Sequence, residues 1–113
     1  MSPITTHVLD TLRGRPAAGI AVRLEQIDAQ GTWHVLGNEE TNADGRVETL
    51  LTDSKIAAGL YRLTFETGDY WDDSEVATFY PRVVIEFEVH EASGHYHVPL
   101  LLSPFSFTTY RGS

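Results

Sequence analysis

The chain has 113 residues, a formal net charge of −8 and no cysteine. That length predicts one domain spanning residues 1–113. The missing cysteine excludes a disulfide framework, a thiol nucleophile and a zinc–thiolate site, and fits a reducing compartment. The acidic clusters "NEETNAD", "ETGDYWDDSE" and "IEFEVHE" are set against no basic stripe, which argues against nucleic acid and anionic membranes as partners.

An apolar share of 42% against 21% charged residues is a globular balance rather than a disordered one. No apolar run approaches the length of a membrane span, and "MSPITTHVLDTL" lacks the basic-then-apolar pattern of a signal peptide. The expectation is a soluble, cytoplasmic protein. Any anionic ligand would have to be drawn in by a few local cations.

Short β-rich runs follow one another between turn residues. Residues 4–12, "ITTHVLDTL", predict the first strand, closed by the Gly/Pro punctuation of "RGRPAAG". Residues 20–27 set Ile20, Val22 and Leu24 against Ala21, Arg23 and Glu25, the alternation of a half-buried strand. A turn in "DAQGTW" leads into the strand "WHVLGNEE", and Asp44-Gly45 marks a tight turn before the short strand "VETLL". Residues 60–67 alternate again, with Tyr61, Leu63 and Phe65 on one side.

"GDYWDDSEVA" is the one stretch with the character of a short helix, with an acidic start and Tyr70 and Trp71 on its buried side. Residues 82–89, 95–103 and 104–110 supply the remaining strands. Pro99 cannot donate to a ladder, so it predicts an edge position or a bulge. About eight short strands and one helix read as an all-β sandwich.

The histidines are the first candidates for chemistry. Strand periodicity puts His7 on the face of Leu9, away from Val8, and puts His95, His97 and Pro99 on one face with Tyr96, Val98 and Leu100 on the other. The second set reads as core. His95, His97 and His7 then project from an outer face, where three readings are open: a contact surface, a divalent metal site, or acid–base catalysis. His34 and His90 lie beside turns and read as solvent-exposed.

Arg46, thrown to the start of a short strand by the Asp44-Gly45 turn, reads either as a surface cation paired with Glu39, Glu40 or Glu48 or as a reach toward the histidine face. Tyr110 and Arg111 raise the same alternative of idle or partner-held. No Gly-rich phosphate loop, G-x-S-x-G elbow or H-E-x-x-H motif is present.

"THVLDTLRGRPAAGIAVRLEQ", "TNADGR", "VVIEFEV" and above all "HYHVPLLLSPFSFTTYRGS" resemble the transthyretin-like 5-hydroxyisourate hydrolases, in order and over essentially the whole chain. The "YRGS" at 110–113 is the most specific part, because that family ends on it and transthyretin does not. The resemblance implies a transthyretin-like sandwich of two four-stranded sheets with one short helix. It also implies a homotetramer with active sites at the subunit interface. The reaction implied is hydrolysis of 5-hydroxyisourate to 2-oxo-4-hydroxy-4-carboxy-5-ureidoimidazoline, in urate (purine) degradation, with no cofactor and no metal.

Carried over residue by residue, the resemblance marks His7, Arg46 and His97 as catalytic. It marks His7, Arg46, Tyr110, Arg111, Gly112 and Ser113 as substrate-binding. On this expectation a neutral His7, with His97, deprotonates the attacking water. Arg46 would hold the substrate's oxygens and keep the adjacent imidazole neutral. Three readings compete: a carrier for a small aromatic ligand, a metal-binding protein using His7, His95 and His97, and an acidic sandwich domain with no site.

Overall fold

A computed structural model of the chain describes residues 2–52, 56–91 and 94–113. In chain order the elements are β1 (Ile4–Asp10), β2 (Arg15–Pro16), β3 (Ala21–Ile27), β4 (Trp33–Glu40), β5 (Arg46–Val47), β6 (Gly59–Phe65), α1 (Thr67–Asp73), β7 (Val83–Val89), β8 (Tyr96–Leu102) and β9 (Phe107–Thr109). One sheet runs β2–β1–β8–β9, and β5 pairs with the edge of β1 that β2 also occupies further along. The other runs β4–β3–β6–β7. Only β1 and β8 pair in parallel among these ladders. The two-sheet sandwich with one short helix agrees with the sequence expectation, the first sheet counting five strands rather than four because β2 and β5 share one edge of β1.

The alternating residues meet between the sheets. Val22, Leu24, Tyr61, Leu63 and Phe65 of one sheet are buried with Ile4, Val8, Tyr96, Val98 and Leu100 of the other. Trp71 is fully buried beneath α1, whereas Tyr70 stays half-buried and turns its hydroxyl toward Asp10. No helix of the described residues is long and apolar enough to cross a membrane.

Two local expectations change, and one irregularity is added. The "RGRPAAG" punctuation contains the two-residue strand β2, and "VETLL" forms strand structure only at Val47, which follows Arg46 in β5 and pairs with Thr6. Between Leu24 and Glu25 the β3–β4 register shifts, so that Leu36 is the extra residue of a bulge.

Pro99 sits neither on an edge nor at a bulge. It lies inside β8, paired with His7 of β1 on one side. Tolerance comes from its other side. His97 accepts a 2.8 Å hydrogen bond from the Gly112 amide, so by alternation residues 97, 99 and 101 turn their backbone groups toward the β9 segment. Regular pairing with β9 stops at Thr109, opposite Leu100. The absent Pro99 N–H falls in that gap, and its carbonyl accepts from Thr109 Oγ1 at 2.8 Å. The ladder resumes as a bridge between His97 and Gly112.

Candidate active site

The site grows from the face of β1 and β8 that points away from the core. Their parallel register sets Thr5 opposite His97 and His7 opposite Pro99, which places Thr5, His7, His95 and His97 on one face. On the far side of β1, the antiparallel pairing with β5 sets Arg46 opposite His7.

The turn before β5 makes that placement specific. Asn42 Oδ1 accepts from the amides of Asp44 and Arg46 at 2.9 and 3.0 Å, and Gly45 N–H donates to Asn42 O at 2.8 Å. Gly45 has φ +75°, and a Cβ there would stand 2.3 Å from the carbonyl oxygen of Val8. Its own carbonyl accepts from Val8 N–H at 2.7 Å. Only glycine permits both the left-handed turn and this approach to β1, so the turn presses Arg46 against the histidine strand. None of Glu39, Glu40 and Glu48 forms an ion pair with Arg46 among the described residues.

These side chains border a depression of about 190 Å³ lined by Thr5, Arg46, Glu48, His95, His97 and Ser113. His97 is half-buried in it, and Thr5 Oγ1 lies 2.8 Å from His97 Nδ1 and 3.3 Å from His95 Nε2. Gly112 covers the opposite ring edge so closely that a Cβ there would be 2.6 Å from His97 Cδ2. Burial pushes the His97 pKa below the ordinary imidazole value. Arg46 pushes it the same way, followed by His7 and His95, against a smaller upward pull from Glu48. His97 is therefore held in its neutral, proton-accepting form.

Of the residues marked from the sequence, Arg46, His97 and Ser113 converge on the depression. Gly112 packs on its imidazole, and His7 stands on the same face beside Arg46. Tyr110 and Arg111 face elsewhere in the single chain. They line a groove of about 220 Å³ with Ile85, Phe87, Tyr96 and Val98, and the Arg111 guanidinium lies 4.5 Å from the centre of the Tyr96 ring. His97 borders both spaces.

Sequence reasoning missed Thr5 and offered Glu48 only as a surface partner of Arg46, not as a residue of the depression. Both stand two residues from a marked position, Thr5 from His7 and Glu48 from Arg46, so strand alternation carried the signal. No group of three or more His, Cys, Asp or Glu among the described residues is arranged to hold a metal ion. His34 and His90 are exposed, His34 within 2.6 Å of Asp28 and His90 3.9 Å from Glu88.

The sequence model of the HIUase/Transthyretin family matches residues 4–112. A 5-hydroxyisourate hydrolase of Mus musculus is 49% identical over 113 residues, covering 99% of this chain and 96% of that protein. Among solved structures, transthyretin from Sparus aurata superimposes with a TM-score of 0.92 at 36% identity, covering 97% of this chain and 96% of the other. Klebsiella pneumoniae 5-hydroxyisourate hydrolase gives a TM-score of 0.87 at 37% identity, covering both chains completely.

Proposed function

The chain belongs to the HIUase/Transthyretin family, and on that premise we propose that it hydrolyses 5-hydroxyisourate, through one domain spanning residues 1–113. The backbone alone does not choose between hydrolase and carrier, since both kinds of relative superimpose on it. The side chains favour the hydrolase. One observation carries this reading: a half-buried imidazole biased toward its neutral form beside a guanidinium that forms no ion pair among the described residues.

The substrate is a small, flat, polar heterocycle whose six-membered ring opens when water attacks a carbonyl next to nitrogen. That step needs a base, a donor for the developing oxyanion and a means of orienting a planar ligand. His97 and His7 act as the base pair on the water. Arg46 grips the substrate oxygens with its planar fork and stabilises the charge that builds on the attacked carbonyl.

Tyr110, Arg111, Gly112 and Ser113 bind substrate. Gly112 seats the His97 ring, Ser113 offers a hydroxyl in the same depression, and Tyr110 and Arg111 act where a second copy of the chain closes the site. His97 Nδ1 meets a threonine hydroxyl rather than a carboxylate, which favours direct hydration over a Ser113 nucleophile. No cofactor or metal enters the mechanism.

The assembly in this reading is a homotetramer. Its support is the pair of edge strands, β7 and β9, that end the two sheets. Beside them stand the exposed apolar side chains Val84, Phe105, Phe107 and Tyr110. Uncovered edges of this kind are what a second copy pairs with. A cytoplasmic location belongs to the same reading, supported by the cysteine-free sequence.

The test uses 5-hydroxyisourate made freshly from urate with urate oxidase, its ultraviolet decay followed with and without the protein. The expected result is strong acceleration that survives a chelator and is lost in His7→Asn. Decay at the spontaneous rate with folded protein would reject the hydrolase and favour the carrier.

A further inference from the structure

The proposed reaction needs more of His97 than neutrality: it needs the correct ring nitrogen to be free. A neutral imidazole carries one proton, so a base acting through Nε2 must carry that proton on Nδ1. Something has to hold the Nδ1–H tautomer.

The described residues offer one group placed to do so. Thr5 Oγ1 stands 2.8 Å from His97 Nδ1, and Nε2 has no protein hydrogen-bond partner among the described residues. Three constraints fix the hydroxyl there. The β1–β8 ladder sets Thr5 directly opposite His97. Thr5 is only 3% exposed, so water competes poorly for it. As a β-branched residue it is also stiff about χ1.

A second contact sets the direction. The same hydroxyl oxygen lies 3.3 Å from His95 Nε2. A threonine hydroxyl has one proton to donate. If that proton goes to His95, the oxygen's lone pair is left to accept from His97 Nδ1–H, and Nε2 is free to act on water. If it goes to His97 Nδ1 instead, the ring proton moves to Nε2 and the base is lost. The wiring consistent with the base role therefore runs from His97 Nδ1–H to Thr5 Oγ1, and from Thr5 Oγ1–H to His95 Nε2.

We infer that Thr5 is a positioning residue that holds His97 in the Nδ1–H tautomer, with the exposed His95 as acceptor at the far end. This rests on the hydrolytic reading and gives His95 a role. During the reaction, the water's proton passes to His97 Nε2 as its oxygen bonds to the ring carbonyl carbon, and Nδ1–H keeps its bond to Thr5. The imidazolium stays seated until it returns the proton to the departing ring nitrogen. The groups around His97 that bias this exchange are Arg46, His7, His95 and Glu48, with Ser113 across the depression.

The test pairs nitrogen-15 NMR of the labelled imidazoles, at a pH where His97 is neutral, with the decay assay. Wild-type protein is expected to show His97 with its proton on Nδ1. Thr5→Val, nearly isosteric, should move the balance toward Nε2–H. Its kcat should fall roughly tenfold to a hundredfold, the loss typical when the partner orienting a metal-bound imidazole is removed, with KM within about twofold. Thr5→Ser should restore both readouts, which a packing role would not predict, since serine lacks the methyl group. His95→Phe should shift the tautomer balance in the same direction as Thr5→Val.

A wild-type His97 protonated on Nε2, an unchanged balance in both variants, or wild-type kcat in Thr5→Val overturns the inference. If wild-type protein fails to accelerate decay, the hydrolytic reading falls, and the NMR result alone decides the role of Thr5.

Discussion

Strand β1 carries a polar cluster at each end, and the two are built on opposite terms. At the C-terminal end, Asp10 is fully buried and both of its carboxylate oxygens accept hydrogen bonds. Oδ1 accepts from the Arg13 amide at 2.9 Å. Oδ2 accepts from Arg13 Nη1 at 2.9 Å and from the Tyr70 hydroxyl at 2.6 Å. At the other end, among the described residues, Arg46 has no ion-pair partner and His97 Nε2 has no protein hydrogen-bond partner. A buried polar group whose every atom is already paired within the protein holds structure. One whose capacity is partly unmet, yet rigidly placed, can act on a ligand. Asp10 fastens α1 to the first sheet through Tyr70, and the histidine end is left free for chemistry.

The sharpest way to break this contrast is to delete one group at each end. Arg46→Ala should lower kcat/KM by roughly a hundredfold to a thousandfold, the usual cost of losing a charge-stabilising donor. Its urea midpoint should stay close to wild type. A variant that keeps full turnover would remove Arg46 from the mechanism.

Asp10→Ala should do the reverse. Stranding the Tyr70 hydroxyl and the Arg13 amide should cost roughly 2–4 kcal/mol of stability, read by urea unfolding, while the folded fraction turns over substrate at a near wild-type rate. A stable Asp10→Ala protein with collapsed activity would invert the assignment of the two ends.

Acid provides the mildest separation. The His97 pKa is lowered by burial and by Arg46. Between that lowered value and the ordinary one of about 6.5 the unfolded chain binds more protons than the folded one, so stability decreases as pH falls through this window. The same lowering favours the neutral form of the proposed base, so the acid limb of kcat/KM should lie below about pH 6.5.

For Asp10, burial raises the pKa, but hydrogen bonds from Tyr70 and Arg13 outweigh it and the net direction is down. Its contribution is present above about pH 3.9 and is lost as pH falls through the lowered folded value. Activity should therefore disappear at a higher pH than the fold, in a titration followed by both turnover and circular dichroism. Coincident loss of the two would show that the ends are not independent.

Much of this architecture is legible in the amino-acid sequence. Alternation of successive side chains places β3, β6 and β8 nearly to the residue, because a strand half-buried against a second sheet must repeat every two positions. The same period puts His95 and His97 on one outer face and Tyr96, Val98 and Leu100 in the core, and Asp44-Gly45 announces the turn that carries Arg46. Motif resemblance, rather than periodicity, singles out His7, Arg46 and His97 from five histidines and eight basic residues.

What the tertiary structure decided was everything that depends on which strands become neighbours. No local pattern says that β1 pairs in parallel with β8, yet only that register, across 92 positions of chain, brings Thr5 to His97. Pro99 departs from its expected edge or bulge for the same reason: its missing N–H matters only through the strand beside it, which breaks where Pro99 would have donated. Arg111 reaches the Tyr96 ring because the chain after Thr109 returns to β8 at the His97–Gly112 bridge, a long-range pairing its own sequence does not announce. Local chemistry set each side chain's capacity, and long-range pairing determined which capacities were met and which were left to act.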